Sequence, residues 1–304
     1  MRAILATFLL TIGPAFAAAR DIYVDNLAGE DRLCGNQPVA TTNDDGPVRS
    51  IDRALRLVLP GDRVLLANTA QPYRESVTLQ GEHNSGYPGK PLILEGGGAI
   101  LDGSQAVPDD AWEFFFGDVF RFQPPRMAYQ QLFLDGKPVT RRNASSSAGL
   151  PELGPLEWCL YESWIYFCGE PGKIPQQYSL SYAGMQTGIT LYKAHDVVIH
   201  DLTVQGFQLD GINAHDGVRN GRLINITARG NGRAGVCVSG GSRIELAGCT
   251  LGDNGAAQLL LEGYSLTRVY DSQLIPSFAP ELIRIGAPRL YLDGKPSEVN
   301  DVSE

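Results

Sequence analysis

Positive charge is scarce in this chain: 25 Lys and Arg stand against 34 Asp and Glu, giving a formal net charge of −9 and a pI near 5.0. Binding a phosphate backbone needs a basic footprint, so this balance argues against a nucleic-acid partner. It also weighs against a long polyanion held by the overall field, although single Arg and Lys side chains can act locally. Long apolar runs are lacking too. The stretch Ala3–Ile12 comes nearest and is too short to span a bilayer. With Arg2 before it and Gly13-Pro14 and the small residues Ala15–Ala19 behind it, it reads as a signal peptide over 1–19, cleaved near Ala17 to Ala19. The expectation is a secreted, periplasmic or cell-surface protein with no membrane span after cleavage.

Cysteine is also sparse. The five, Cys34, Cys159, Cys168, Cys237 and Cys249, all follow the expected cleavage site, and none forms a paired C-x-x-C, which removes the usual signature of structural zinc. Cys159 and Cys168 flank LYESWIYF, which reads as a hairpin, so a bridge across it and two free thiols are both open. Cys237 and Cys249 belong to different strands of one unit, with Cys237 facing outward and Cys249 inward.

What the chain does have is a repeat of 22 to 24 residues through its second half. Units begin at Ile189, Gly211, Gly235 and Gln258, with a partial one at Glu281, and each holds two or three short aliphatic runs separated by Gly, Asn, Asp and Ser. No unit can bury its own apolar face, so successive units must stack as coils of a solenoid. Leu202, Ile226, Cys249 and Ser272 then form one column, and Leu223, Leu246 and Val269 another.

This repeat resembles the right-handed parallel β-helix of the pectin-lyase-like superfamily, and the segments IYVDNLAGED, GPVRSIDRALRLVLPGDRVLLA, PYRESVTLQG and GKPLILEGGGAILDGS resemble its start. Val48, Ile51, Leu55, Val58 and Leu59 follow helical spacing after Pro47, predicting an amphipathic helix over 47–59, which the resemblance makes a cap on the open coil. From about Arg126 to Gln177 the repeat breaks into turn signals and aromatic strands, similar to the small antiparallel module inserted in several β-helix glycosidases. The expected fold is therefore all-β: a right-handed parallel β-helix solenoid with an N-terminal capping helix and a small antiparallel β insertion. Its segments are the first coils over 20–125, the inserted module over 126–177, further coils over 178–294 and a tail over 295–304. Leu290–Pro296 nearly repeats Leu132–Pro138, and both read as a strand followed by a tight turn.

Three of the four histidines lie between His195 and His215, and each precedes an aspartate: His195-Asp196, His200-Asp201 and His215-Asp216. Neighbours on a strand face opposite ways, so none of these is expected to be a dyad. Ala194-His195-Asp196 and Ala214-His215-Asp216 should instead stack one strand spacing apart, with Asp210 and outward-facing Asn213 beside them. Asp210, His215, His195 and Asp216 are the candidate acid and base groups, and Asn213 a candidate substrate ligand. His200 and Asp201 should face solvent. Gln208–Asn213 is similar to the N-T-D-G-x-D segment of polygalacturonases, with Asp210 at the position of their first catalytic aspartate. Gly232–Gly235 lacks the aspartate pair of the next coil, however, and the later G-H-G and R-I-K motifs are missing. No cofactor is implied; a divalent cation on stacked His and Asp is chemically reasonable, but neither spacing nor ligand count marks a site.

The function this predicts is cleavage of a polysaccharide or oligosaccharide, by hydrolysis or elimination. Its rival is a non-catalytic glycan-binding or structural solenoid. The outward positions Cys237, Leu260 and Ile283 favour the rival, because a sugar groove usually displays charged or aromatic groups where these are apolar. The sequence is silent on oligomeric state.

Overall fold

The computed structural model describes residues 19–125, 129–144 and 149–297; most of the expected signal peptide, the link Ser145–Ser147 and the end of the tail lie outside them. The period seen in the sequence becomes a stack of parallel strands. In the shorter of two coil sheets, Ile189 pairs with Ile212, Ile212 with Val236, Val236 with Leu259 and Leu259 with Leu282, which are steps of 23, 24, 23 and 23 residues. A longer sheet carries the other two runs of each coil. Its ladder Ile199, Leu223, Leu246 and Val269 points inward.

The expected columns are present, and Leu202, Ile226 and Cys249 are all buried in the main core. Because each coil exposes its last strand to the next, the core is a continuous column rather than a centre, and each inward side chain touches its counterpart a coil away. One turn adds a polar ladder. Asn231 Nδ2 donates to Asn254 Oδ1 at 3.0 Å, and Asn254 Nδ2 donates to Gln258 Oε1 at 2.9 Å, all fully buried. Each amide satisfies the next, which removes the cost of burying them. Gly211 and Gly235 make room for the row, since a Cβ there would lie 2.8 Å from Asn231 Nδ2 and 2.7 Å from Asn254 Nδ2.

The N-terminal helix is shorter than expected, Ile51–Leu57 rather than 47–59. Ser50 is its N-cap, with Oγ accepting from Arg53 N, while the Glu75 carboxylate accepts from Ile51 N and Asp52 N. Pro47 lies ahead of this cap and plays no helical part. Val48, Ile51, Leu55 and Val58 are buried as the spacing predicted, whereas Leu59, past the last turn, is exposed.

The inserted module is wider than 126–177. Val77 pairs directly with Ile189, a step of 112 residues where the later coils take 23 or 24, and Leu92–Asp102 within that span still belongs to the coil's long sheet. The chain leaves at Ser104 and returns at Ala183, and these two residues are themselves paired. Glu113–Phe116 and Val119–Phe122 join Glu157–Tyr161 and Trp164–Cys168 in one antiparallel sheet, so they belong to the module and not to the first coils. The module has its own core of Phe122, Leu132, Trp158, Ile165 and Phe167, and Trp158 Nε1 donates to Val139 O at 3.0 Å. The twin segments are both hairpins: Phe133 pairs with Pro138 and Tyr291 with Pro296, each across an Asp-Gly turn with both φ angles positive.

The LYESWIYF hairpin is present, but Cys159 sits opposite Tyr166 and not Cys168, and both thiols are free. Cys249 faces inward as expected. Cys237 faces away from the main core yet is buried in a small second cluster with Ala234, Ala257 and Leu260, against which Ile283 packs.

Candidate active site on the outer face of the short sheet

The three His-Asp pairs are not split across the strand, contrary to the alternation rule. His195 Nδ1 lies 3.1 Å from Asp196 Oδ2, His200 Nδ1 lies 2.7 Å from Asp201 Oδ2, and His215 Nδ1 lies 3.6 Å from Asp216 Oδ2. The cause is backbone conformation. Asp196, Asp201 and Asp216 have φ of 52°, 54° and 60°, and a left-handed residue swings its side chain back toward the preceding one. An ionised carboxylate can only accept, so the first two imidazoles donate from Nδ1 and keep Nε2 for another partner. His200 and Asp201 stay on the outside of the coil, both partly exposed, and the Asp201 carboxyl is held below its usual range by the His200 hydrogen bond, aided by one from Asn225.

The expected stacking of His195 on His215 does not occur. His215 pairs with Tyr192, whose ring lies 5.1 Å away, while His195 pairs with Arg219. The two coils reach their histidines at different points: His215 ends the short-sheet strand Asp210–His215, whereas His195 opens the long-sheet strand His195–Gln205 beyond the turn. Asp196 goes with His195 to the long sheet, where its Oδ1 accepts from Asn220 Nδ2. Asp216 remains at the turn beside His215, exposed.

Asp210, Asn213 and His215 do share the outer face of one strand, as expected, but Asp210 does not face an open groove. Its side chain is 0% exposed, and both of its oxygens are occupied. Arg233, one coil on and just before Ala234, which is the residue in register with Asp210, donates from Nε to Oδ1 at 2.9 Å and from Nη2 to Oδ2 at 2.5 Å, and Asn213 Nδ2 donates to Oδ2 at 2.6 Å. This fork geometry raises the Arg233 pKa further through the Asp210 bond. The other Asn213 atom, Oδ1, is buried and has no donor among the described residues.

Around this ion pair, the outward positions form two columns. One runs Thr190, Asn213, Cys237, Leu260 and Ile283. The other runs Tyr192, His215, Ser239, Glu262 and Ile285, with His215 and Glu262 two coils apart, roughly 10 Å along the stack. Cys237 Sγ lies 3.7 Å from Glu262 Oε2, and burial, with Asp210 and Glu262 nearby, pushes the thiol far up. His215 and Glu262 are partly exposed titratable groups on this face. Arg233 and Glu262 were missed by the sequence reading. Charge complementarity one coil after Asp210 would have found the first, and a carboxylate two periods after His215 the second. Among the described residues no group of three or more His, Cys, Asp or Glu side chains is placed to hold a metal ion.

A family model described as a right handed beta helix region matches residues 179–275. The sequence matches none of the curated proteins. Among solved structures, the chain is similar to a glycoside hydrolase with 11% identity and a TM-score of 0.58, over 88% of this chain and 74% of that one. It also overlays on XylC in complex with xylose, with 11% identity, a TM-score of 0.43 and coverage of 90% and 69%. For the pectate lyase Pel9A the values are 13%, 0.44, and 95% and 57%. Identities this low speak to the fold alone, and the first of these likenesses carries it. No helix among the described residues is long and apolar enough to cross a membrane.

Proposed function

The chain has the right-handed parallel β-helix fold of the pectin-lyase-like type, and we propose that it is a secreted, carbohydrate-active protein that binds a polysaccharide across the outer face of its short sheet and cleaves it there. The observation that carries this reading is the buried Asp210–Arg233 pair with the donorless Asn213 Oδ1 beside it. Buried ion pairs and unpaired acceptors weigh against stability, and they concentrate where a site is being organised. In this reading Asp210 holds Arg233 in place and does not itself exchange protons. His215 and Glu262 take the acid and base roles, one delivering a proton to the leaving oxygen and the other receiving one from water or from the sugar ring. Tyr192, its ring tilted against His215, offers an aromatic surface to the sugar. The names of the structural relatives, which include a glycoside hydrolase and a pectate lyase, agree with a saccharide substrate.

The apolar column Cys237, Leu260 and Ile283 favours a second reading, a solenoid that binds glycan without cutting it. Incubating the mature protein with a panel of neutral and acidic polysaccharides, and assaying new reducing ends and unsaturated products, separates the two. New ends or unsaturated products support the enzyme. Binding without either supports the solenoid, and neither binding nor turnover sinks the saccharide reading.

A further inference from the structure

A second groove lies on the other sheet, away from Asp210. It encloses about 640 Å³ on the outer face of the long sheet, and Arg222, Arg243 and Arg268 line it together with Asp196, Asn220 and Glu245. Its wall is the loop Tyr87–Pro91, which is fixed to the coil: His195 N donates to Ser85 Oγ at 3.1 Å and Gly86 N donates to His195 O at 3.0 Å. The parallel register places the arginines. Arg222, Glu245, Arg268 and Tyr291 form one column, and Asn220, Arg243, Leu266 and Arg289 are its neighbour.

Three guanidinium groups face two carboxylates, and both carboxylates have partners. Asp196 accepts from His195 and Asn220, and Glu245 accepts from Arg222 at 3.3 Å. Arg268 has no carboxylate partner among the described residues and lies 5.7 Å from the Tyr291 ring. Arg243 makes no side-chain hydrogen bond or ion pair among them, and it is exposed. Arg289, exposed, continues the second column one coil beyond Leu266. In a protein of net charge −9, nothing in the general composition would gather arginines here.

We propose that this groove is a second binding site, which takes the carboxylate or sulfate groups of an acidic oligosaccharide lying along the coil axis. Consecutive coils put a cation within reach of successive sugars, and the planar fork of each arginine suits a two-oxygen acceptor. The saccharide part of the ligand rests on the function proposed above, whereas the anion part stands on the arginines alone. The site lies on a different sheet from His215 and Glu262, so an acidic chain could be held here while another part of it, or another chain, meets the short sheet.

Calorimetric titration of the mature protein tests this with five probes: a short oligogalacturonate, a short sulfated glycosaminoglycan, a neutral glucan of equal length, single-stranded DNA and inorganic sulfate. At least one acidic saccharide is expected to bind, more weakly as salt rises, and the neutral glucan should not. The tighter of the two acidic saccharides identifies the charged group. Arg243→Glu with Arg268→Glu should weaken binding by roughly tenfold or more, and Arg243→Gln with Arg268→Gln by less, while His215→Ala retains it. Equal affinity in the charge-reversed variant, or no binding of either acidic saccharide, overturns the proposal. DNA binding as tight as the saccharides overturns the assigned ligand class. Arginine-dependent binding of sulfate without any saccharide would keep the anion site and overturn its saccharide ligand, leaving the short-sheet reading to be judged by its own turnover assay.

Discussion

Arg233 grips the carboxylate of Asp210 with two nitrogens from the next coil of the solenoid, and Asn213 closes the remaining approach from three residues along the same strand. The pair is therefore both a staple between coils and the floor of the candidate site. The carboxylate has no surface through which a substrate could reach it.

Removing that carboxylate's charge should cost stability, in contrast to the behaviour of an exposed catalytic aspartate. Asp210→Asn leaves Arg233 largely buried without its counter-charge, and the loss of one partner of such a pair is worth about 3 kcal/mol. Equilibrium denaturation in urea reads this directly. Replacing both residues with apolar ones of similar size, Asp210→Leu with Arg233→Met, should recover most of the loss because no charge is left stranded. A stable Asp210→Asn variant would show that the pair is not formed in solution.

Activity should follow the partly exposed groups. Once a substrate is identified, Glu262→Gln and His215→Ala should each lower kcat by roughly 10²-fold or more, the usual contribution of a positioned acid or base. His195→Ala should leave kcat unchanged, because His195 belongs to the long sheet and stacks on Arg219. Wild-type turnover in both Glu262→Gln and His215→Ala would move the search to the aromatic module between Ser104 and Ala183.

Period was legible in the sequence and turn register was not. Ile212, Val236, Leu259 and Leu282 announce their stacking because inward positions must be aliphatic in every coil. Turns face no such demand. The turn after His215 carries one extra residue, Gly217 at φ 91°, relative to the turn after Tyr192. Matching the two Ala-His-Asp triplets by identity imposed a step of 20 residues where the coils step 23 at Tyr192–His215 and 24 at His195–Arg219, and so stacked two histidines that lie on different sheets. The left-handed aspartates were hidden for a related reason, since a positive φ is set by the coil's corner and only weakly by residue type. The module's early strands were missed because Glu113–Phe116 and Val119–Phe122 are short aromatic runs with no period; they pair with each other, and the strand that joins them to the rest of the sheet, Trp164–Cys168, lies more than forty residues on.

Two carboxylates at the N-terminal helix should give opposite pH responses. Burial resists ionisation of Asp31, but the backbone and hydroxyl of Ser50 and the backbone of Arg49 outweigh it and hold its pKa below 3.8. A depressed acid adds stability above its unfolded value, so this contribution is present above about pH 3.8 and lost as pH falls through the lower folded value. Burial of Glu75 dominates and raises its pKa above 4.5. Its contribution is fully present below that value and lost as pH rises through the folded one. Thermal melts across acidic pH should show Asp31→Asn flattening the acid limb and Glu75→Gln reducing the decline above about pH 4.5. Limbs unchanged in both variants would mean that neither carboxylate is linked to folding.

The strictest test of the coil register is Ile226, which is 1% exposed and stacked between Leu202 and Cys249 in the inward column. Ile226→Val removes one methylene and should cost about 1 kcal/mol. Ile226→Asp instead places a carboxylate where every neighbour is apolar, at a cost of several kcal/mol, comparable with the whole stability of a domain. Because each coil is stabilised mainly by its two neighbours, the damage should spread: loss of the column at this point uncouples the coils on either side. Circular dichroism melts should show Ile226→Val melting a few degrees low and Ile226→Asp failing to give a cooperative transition. Thr227→Asp, one residue on and facing outward, should fold normally, since its carboxylate reaches water. If Ile226→Asp and Thr227→Asp melt alike, the inward column is one residue out of register and the outer-face assignments of Asn213, His215 and Glu262 need the same correction.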